Sequence, residues 1–258
     1  MTDSDETVLR TENLEKHFGG ITALDGVDVD IGTGITGLIG PNGAGKTTLF
    51  NCLTGFESPD KGSITFEGTD ITGANPATIA QQGLVRTFQI PHELMEMTVF
   101  ENLLLGPPNQ SGEGLFRSWV RGDRFVEDEV RARERAREMA DFFDLDHVID
   151  EPAGNLSGGQ RKLLELARVL LTDPDMVLLD EPLAGVNPTL EQRILERIHE
   201  LESQGYTFLF VEHDMNVIMN HCDRVVVMHQ GRVLTAGSPD EVRSDERVVE
   251  AYLGEVDV

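Results

Sequence analysis

The chain is poor in lysine and cysteine and has no long apolar run, and each scarcity excludes something. Lysine occurs only at Lys16, Lys46, Lys61 and Lys162 in 258 residues. With 17 arginines these are the whole basic complement, set against 46 acids, and the formal charge is −25. So acidic a surface repels nucleic acid at low salt, which argues against DNA or RNA as a partner. It also predicts a halophilic chain, because dense salt screens the self-repulsion that otherwise opposes compaction. An acidic interaction patch is the competing reading, but the acids run from Asp3 to Asp257, as a whole-surface property would.

Cys52 and Cys222 are far apart and neither belongs to a C-x-x-C pair. That argues against a cysteine metal site and for a reducing interior. No apolar stretch approaches the length of a membrane span. Met1 to Thr7 is acidic and polar, unlike a secretory leader. These absences predict a cytoplasmic chain that reaches a membrane only through a partner. Internal repeats and low-complexity linkers are missing too, and the length suffices for one full α/β core.

What the chain does have is Gly40-Pro41-Asn42-Gly43-Ala44-Gly45-Lys46-Thr47-Thr48, a match to G-x-x-x-x-G-K-[ST]. It follows the apolar run Ile35 to Ile39 and opens into Leu49-Phe50-Asn51-Cys52-Leu53, a helical continuation in which Cys52 reads as a small core residue. Glycines let backbone wrap an anion, N–H groups at a helix start point at phosphate oxygens, and Lys46 adds a point charge for the β and γ phosphates. Thr47 is then the natural magnesium ligand.

Asp175 to Glu181 is an apolar run after Pro174 that ends in two carboxylates, as a buried parallel strand delivering acids to the carboxyl edge of a sheet would be. Asp180 would hold magnesium, and Glu181 would orient or deprotonate an attacking water. A solvated acidic turn is the bland alternative. Leu156-Ser157-Gly158-Gly159-Gln160 weighs against it. Ser157 is a good N-cap, and Leu163, Leu166, Ala167 and Leu170 recur at helical spacing, so Ser157, Gly158 and Gly159 stand at the positive end of a helix.

With these motifs in this order the chain resembles the ATP-binding cassette family, whose signature is the pentapeptide Leu156 to Gln160. The resemblance runs from about Val8 to about Gly254. It implies ATP and Mg2+ as ligands and the P-loop α/β fold: a mostly parallel sheet flanked by helices, an antiparallel β subdomain and a helical subdomain. A single ATPase domain over 6–254 is expected, with the helical part at about 90–170. By resemblance, Gln89 in Arg86-Thr87-Phe88-Gln89 is the loop glutamine that touches magnesium, and His213 in Thr207 to His213 is the switch histidine at the γ-phosphate. Phe18 holds the place of the aromatic that stacks on adenine, with core packing as the alternative.

Where the family commonly carries Ser-x-x-Leu-Asp after the catalytic glutamate, this chain reads Pro182-Leu183-Ala184-Gly185-Val186-Asn187. That form is similar to the ATPases of branched-chain amino acid importers, as are Met97 to Asn102 and the ending Val249 to Gly254. Lipopolysaccharide-export ATPases resemble it as well. The family implies transmembrane permease subunits as partners, a binding protein outside the membrane, and a second cassette. In the family the signature of one cassette closes the site of another, so two ATP molecules are sandwiched in a head-to-tail dimer. Three functions follow: an importer ATPase, an exporter ATPase for lipids or drugs, and a soluble cassette acting on DNA or ribosomes. The last normally shows a tandem cassette or a long coiled-coil insertion, and neither is in the sequence.

Coarse patterning adds elements. Val8–Leu14, Gly26–Ile31 and Ser63–Phe66 read as antiparallel strands and Pro76–Gln82 as a helix. Gly106–Gly114 reads as a loop, and Arg121–Phe143 as a helix whose solvated face alternates acids and arginines. Val225–Met228 and Arg232–Ala236 form a hairpin around His229-Gln230-Gly231.

Overall fold

The alternation near the start of the chain builds an antiparallel sheet. The computed structural model describes residues 7–87, 92–106, 122–212 and 214–253. In it β1 (Leu9–Phe18) and β2 (Ile21–Ile31) form a hairpin, β3 (Ile35–Ile39) leads into α1 (Lys46–Leu53), and β4 (Lys61–Phe66) and β5 (Thr69–Asp70) return to β1. The order is β2-β1-β4-β5. Leu9, Leu14, Val27, Val29, Ile31, Ile64 and Phe66 face inward and are buried, while Arg10, Glu12, Asp28 and Asp30 face water. The first two strands are longer than their pattern suggests. Register shifts after Thr11, Leu14 and Lys16 break the period of two, so alternation fades before the strand does.

The second sheet holds the apolar runs. After α2 (Pro76–Gln81) come β6 (Leu84–Arg86), α3 (Val99–Leu104), α4 (Gly122–Phe142) and α5 (Gly158–Leu170). Then follow β7 (Met176–Asp180), α6 (Pro188–Ser203), β8 (Thr207–Val211), α7 (Met215–His221), β9 (Arg224–His229), β10 (Arg232–Gly237), α8 (Pro239–Ser244) and α9 (Glu246–Leu253). The strand order is β10-β9-β3-β8-β7-β6, parallel except for β10. β3 and β8 are buried at every residue and β7 at all but Asp180, the mark of parallel strands covered on both faces. Each large side chain there, such as Phe208 or Phe210, contributes roughly 1.5–3 kcal/mol by leaving water. Gln230 and Gly231 both take positive φ, so the β9–β10 connection is a tight hairpin turn of the expected kind.

The described chain up to Arg86, with Asp175–Leu183 and from Ile198 onward, forms one compact unit; Thr87–Pro174 with Ala184–Arg197 form another. Both sheets lie in the first. Its core joins Leu38, Leu49, Phe50 and Leu53 to Leu9, Ile64 and Phe66 of the antiparallel sheet and to Leu178, Leu209 and Val226 of the other. Cys52 and Cys222 are buried and free, and burial pushes their thiols up to about 11 and about 12, so both are inert packing residues.

The second unit is helical. α4 spans nearly the predicted range and ends at Phe142; two residues on, Asp144 lies in the left-handed region with φ 55°. Ala136 and Ala140 are buried on its narrow apolar stripe, while Arg131 and Arg133 pair with Glu127 and Glu129 one turn away on the wet face. Arg197 lies over the Phe142 ring at 4.7 Å and reaches Asp144 at 3.6 Å. The loop expected at Gly106–Gly114 lies, beyond Gly106, outside the described residues. Among the described residues no helix is long and apolar enough to cross a membrane.

Candidate active site

The sheet register gathers the site. Val211 at the end of β8 pairs with Leu38 of β3 on one side and Asp180 of β7 on the other. The loop after β3 and the acids of β7 therefore emerge at one carboxyl edge, about two strand spacings or roughly 10 Å apart. Position 213 follows Val211 by two residues in sequence. His213 itself lies outside the described residues, as does Gln89.

The loop has the conformation an anion cradle requires. Gly40 (φ 152°) and Gly45 (φ 102°) adopt backbone angles that side chains rarely take, and a Cβ on either would lie 2.2 Å from the Met228 carbonyl oxygen or 2.6 Å from that of Ala23. The Ala44 N–H donates to Pro41 O at 3.1 Å, and the Gly231 N–H of the β9–β10 turn donates to Ala44 O at 3.0 Å, so the hairpin braces the loop from behind. Gly45 caps α1 without a side-chain hydrogen bond, so no capping side chain occupies the positive start of the helix. Lys46 is buried and its Nζ donates to Gly40 O at 2.5 Å and Pro41 O at 3.1 Å, curled over the loop it serves. Asn42, Gly43 and Thr47 are exposed and Thr48 is half-buried. A groove of about 630 Å³ runs past Pro41–Ala44, bounded by Gln230, Leu234 and the α9 residues Arg247 and Glu250.

Asp180 is half-buried, and one oxygen of its carboxylate accepts a short hydrogen bond from Arg86 Nη2. Nη1 of the same guanidinium donates to Asn51 Oδ1 at 2.8 Å. Glu181 sits at φ 49°, in the left-handed region uncommon for a residue with a side chain, while its N–H still donates to Val211 O at 2.9 Å. The next turn is held by Glu212, buried, whose Oε1 accepts the Leu183 N–H at 2.8 Å. Asp180 and Thr47 offer hard oxygen donors, the chemistry that suits magnesium.

Phe18 is 45% exposed at the tip of β1, which removes the core-packing alternative. Lys16 Nζ lies 5.2 Å from its ring centroid and donates to Ser58 O at 2.7 Å, so the ring has one face oriented by a fixed cation.

In the helical unit Ser157 caps α5 in a reciprocal box: Gln160 N–H donates to Ser157 Oγ at 3.3 Å, and Ser157 N–H to Gln160 Oε1 at 3.0 Å. Open space surrounds Gly158, whereas a Cβ at Gly159 would overlap Leu190 at 1.7 Å. Asn187 Oδ1 accepts the Leu190 N–H at 3.1 Å at the start of α6, so the residue that replaces the family's aspartate keeps a capping bond that needs no charge. On α5, burial pushes Glu165 up to about 7, against the opposing pull of Lys162 and Arg168.

Arg86, Asn51, Glu212 and Glu165 were not singled out by sequence. The first three take partners distant in the chain; Glu165 has the polar spacing of an ordinary helix face.

The comparisons agree with this geometry. Residues 24–184 match the family described as ABC transporter, and residues 232–258 match the one described as branched-chain amino acid ATP-binding cassette transporter. The chain is 45% identical over 251 residues to the probable branched-chain amino acid transport ATP-binding protein LivG of Archaeoglobus fulgidus, covering 97% of this chain and 96% of that one. It is 39% identical over 252 residues to the high-affinity branched-chain amino acid transport ATP-binding protein LivG of Escherichia coli K12, covering 97% and 99%. The crystal structure of the ADP conformation of MJ1267, an ATP-binding cassette of an ABC transporter, superimposes with a TM-score of 0.84 at 43% identity, covering 96% of this chain and 99% of that one. A nucleotide-free cassette gives 0.83 at 42% identity, again over 96% and 99%.

Proposed function

The chain belongs to the ATP-binding cassette transporter family and is an ATPase, and from that premise we propose that it drives an importer of branched-chain amino acids. The observation that carries this reading is the likeness, over nearly the whole chain, to ATPases named for branched-chain amino acid transport. The expected setting is the inner face of the membrane, bound to permease subunits, with a binding protein supplying substrate from outside.

Within the site, Lys46 and the N–H groups of Gly43 to Thr48 bind the β and γ phosphates. Phe18 stacks on adenine, the ring face being accessible. Thr47 and Asp180, with Gln89, would hold Mg2+, which when bound neutralises phosphate charge. Glu181 accepts a proton from the attacking water, and its strained backbone fixes the direction from which it does so. His213 contacts the γ-phosphate. Ser157, Gly158, Gly159 and Gln160 offer a capped helix start to the ATP of a second ATPase, either a copy of this chain or a sister subunit. ATP bridges the two faces and ADP does not, so hydrolysis separates them.

The test is reconstitution with the permease subunits and binding protein of the same organism in proteoliposomes. Leucine-stimulated ATP hydrolysis and uptake are expected, with both abolished by Lys46→Ala. Stimulation by a lipid and indifference to leucine would make the chain an exporter ATPase instead.

A further inference from the structure

Arg86 touches both α1 and the end of β7, the elements on which the proposed reading places Thr47 and Asp180 at magnesium. Its side chain is only 13% exposed, against 27% for Asp180. One nitrogen holds the Asp180 carboxylate at the end of β7, and the other holds Asn51 of α1, the helix that begins at Lys46 and Thr47. Its Cζ stands 5.5 Å from the ring centroid of Phe50, itself fully buried, so three contacts fix the guanidinium. A guanidinium fixed in this way is a permanent +1 charge at the carboxylate that the proposed reading assigns to a divalent cation.

We propose that Arg86 is an internal counter-ion that competes with magnesium for Asp180 and so sets how strongly nucleotide binding depends on the metal. The proposal rests on the reading that Asp180 holds magnesium. A carboxylate oxygen bonded to a guanidinium has less lone-pair density and less net charge to offer a cation, and at this partial burial the repulsion between Arg86 and an arriving 2+ ion is weakly screened. The same pair keeps Asp180 compensated whenever the metal is elsewhere, which an isolated half-buried carboxylate would not be. Arg86 is thus a positioning residue that limits metal affinity and preserves the fold between turnovers. A purely structural arginine, one that aims Asp180 at the metal, has the opposite signature: its removal lowers metal affinity.

The experiment is Mn2+ titration of the ADP-bound chain, with free Mn2+ read by electron paramagnetic resonance, together with thermal melting of the nucleotide-free chain with and without Mg2+. For Arg86→Gln, Mn2+ affinity should rise about three- to tenfold. The variant should melt lower than the parent and recover more of that loss on adding Mg2+ than the parent gains. Arg86→Lys, which keeps a charge but cannot span Asp180 and Asn51 together, should fall between the two and supplies the reading if Arg86→Gln does not fold. Unchanged or weaker Mn2+ binding in the arginine variants overturns the proposal. Asp180→Asn is the control for its premise: Mn2+ binding as tight as the parent's there would overturn the assignment of Asp180 to the metal, a failure distinct from the first.

Discussion

Glu212 accepts the Leu183 N–H at 2.8 Å, a bond that ties the turn after Glu181 to the end of β8. The glutamate is 7% exposed and Leu183 is 8% exposed, so water cannot replace either partner cheaply. Glu212→Ala should cost about 1–3 kcal/mol of stability by leaving the N–H unsatisfied. It should also slow hydrolysis more than it weakens ATP binding, because the strained conformation of Glu181 loses its support. Glu212→Gln keeps an acceptor oxygen and should stay close to the parent. Denaturant melts and a comparison of kcat with nucleotide affinity check both statements, and equal losses for Ala and Gln would assign the effect to charge instead.

Glu181→Gln should retain nucleotide affinity while hydrolysis falls by a factor on the order of 10² to 10⁴, the size of a lost general base. With ATP trapped, the chain should dimerise, since the capped start of α5 in one copy is free to meet nucleotide on another. Light scattering with ATP and with ADP measures this. A monomer in both conditions would leave the sandwich to a sister subunit, and a dimer in both would uncouple association from the γ-phosphate.

The sequence shows plainly what the chain writes contiguously. The loop Gly40 to Thr48, the acids Asp180 and Glu181 and the signature Leu156 to Gln160 are strings whose chemistry is complete within a few residues, and buried runs such as β3, β7 and β8 announce themselves by composition. Arg86 and Glu212 could not be read so. Their partners lie 94 and 29 positions away, and only the sheet order brings β6 beside β7 and β8 beside β7. Asn187 is legible as a side chain that can still hydrogen-bond without the aspartate's charge, but not as the cap of α6, because capping depends on where that helix begins. Strand ends were lost where bulges interrupt the alternation of β1.

Glu165 gives the pH prediction. Burial raises its carboxyl from 4.5 to about 7, so the folded chain holds this proton more tightly than the unfolded one. The stabilising contribution is therefore complete below about pH 4.5 and is lost as pH rises through about 7. Glu165→Gln mimics the protonated form. At pH 8 it should stabilise the chain by about 2–3 kcal/mol at most, and at pH 4.5 it should change little. Urea unfolding of parent and variant at the two pH values, at one fixed salt concentration, reads the difference. An equal effect at both would place it in packing and not in ionisation.

The last prediction concerns salt, where two electrostatic effects oppose each other. Surface pairs such as Arg10–Asp30, Arg133–Glu129 and Arg232–Asp25 are weakened by screening, but exposed pairs are worth only about 0–1 kcal/mol each at low salt. Even if every lysine and arginine were paired, an excess of 25 acids would remain, repelling one another over the whole surface. Screening must relieve that repulsion by more than it takes from the pairs. The Debye length falls from about 8 Å at 0.15 M to about 3 Å at 1 M, so most of the relief should come within that range. The melting temperature should climb with KCl well past physiological strength and then level off. Potassium chloride is the proper salt, because sulfate would also strengthen apolar burial and confound the two causes. A melting temperature that stays flat or falls between 0.15 M and 1 M KCl would mean that the acids are already compensated, and the halophilic reading of the composition would be lost.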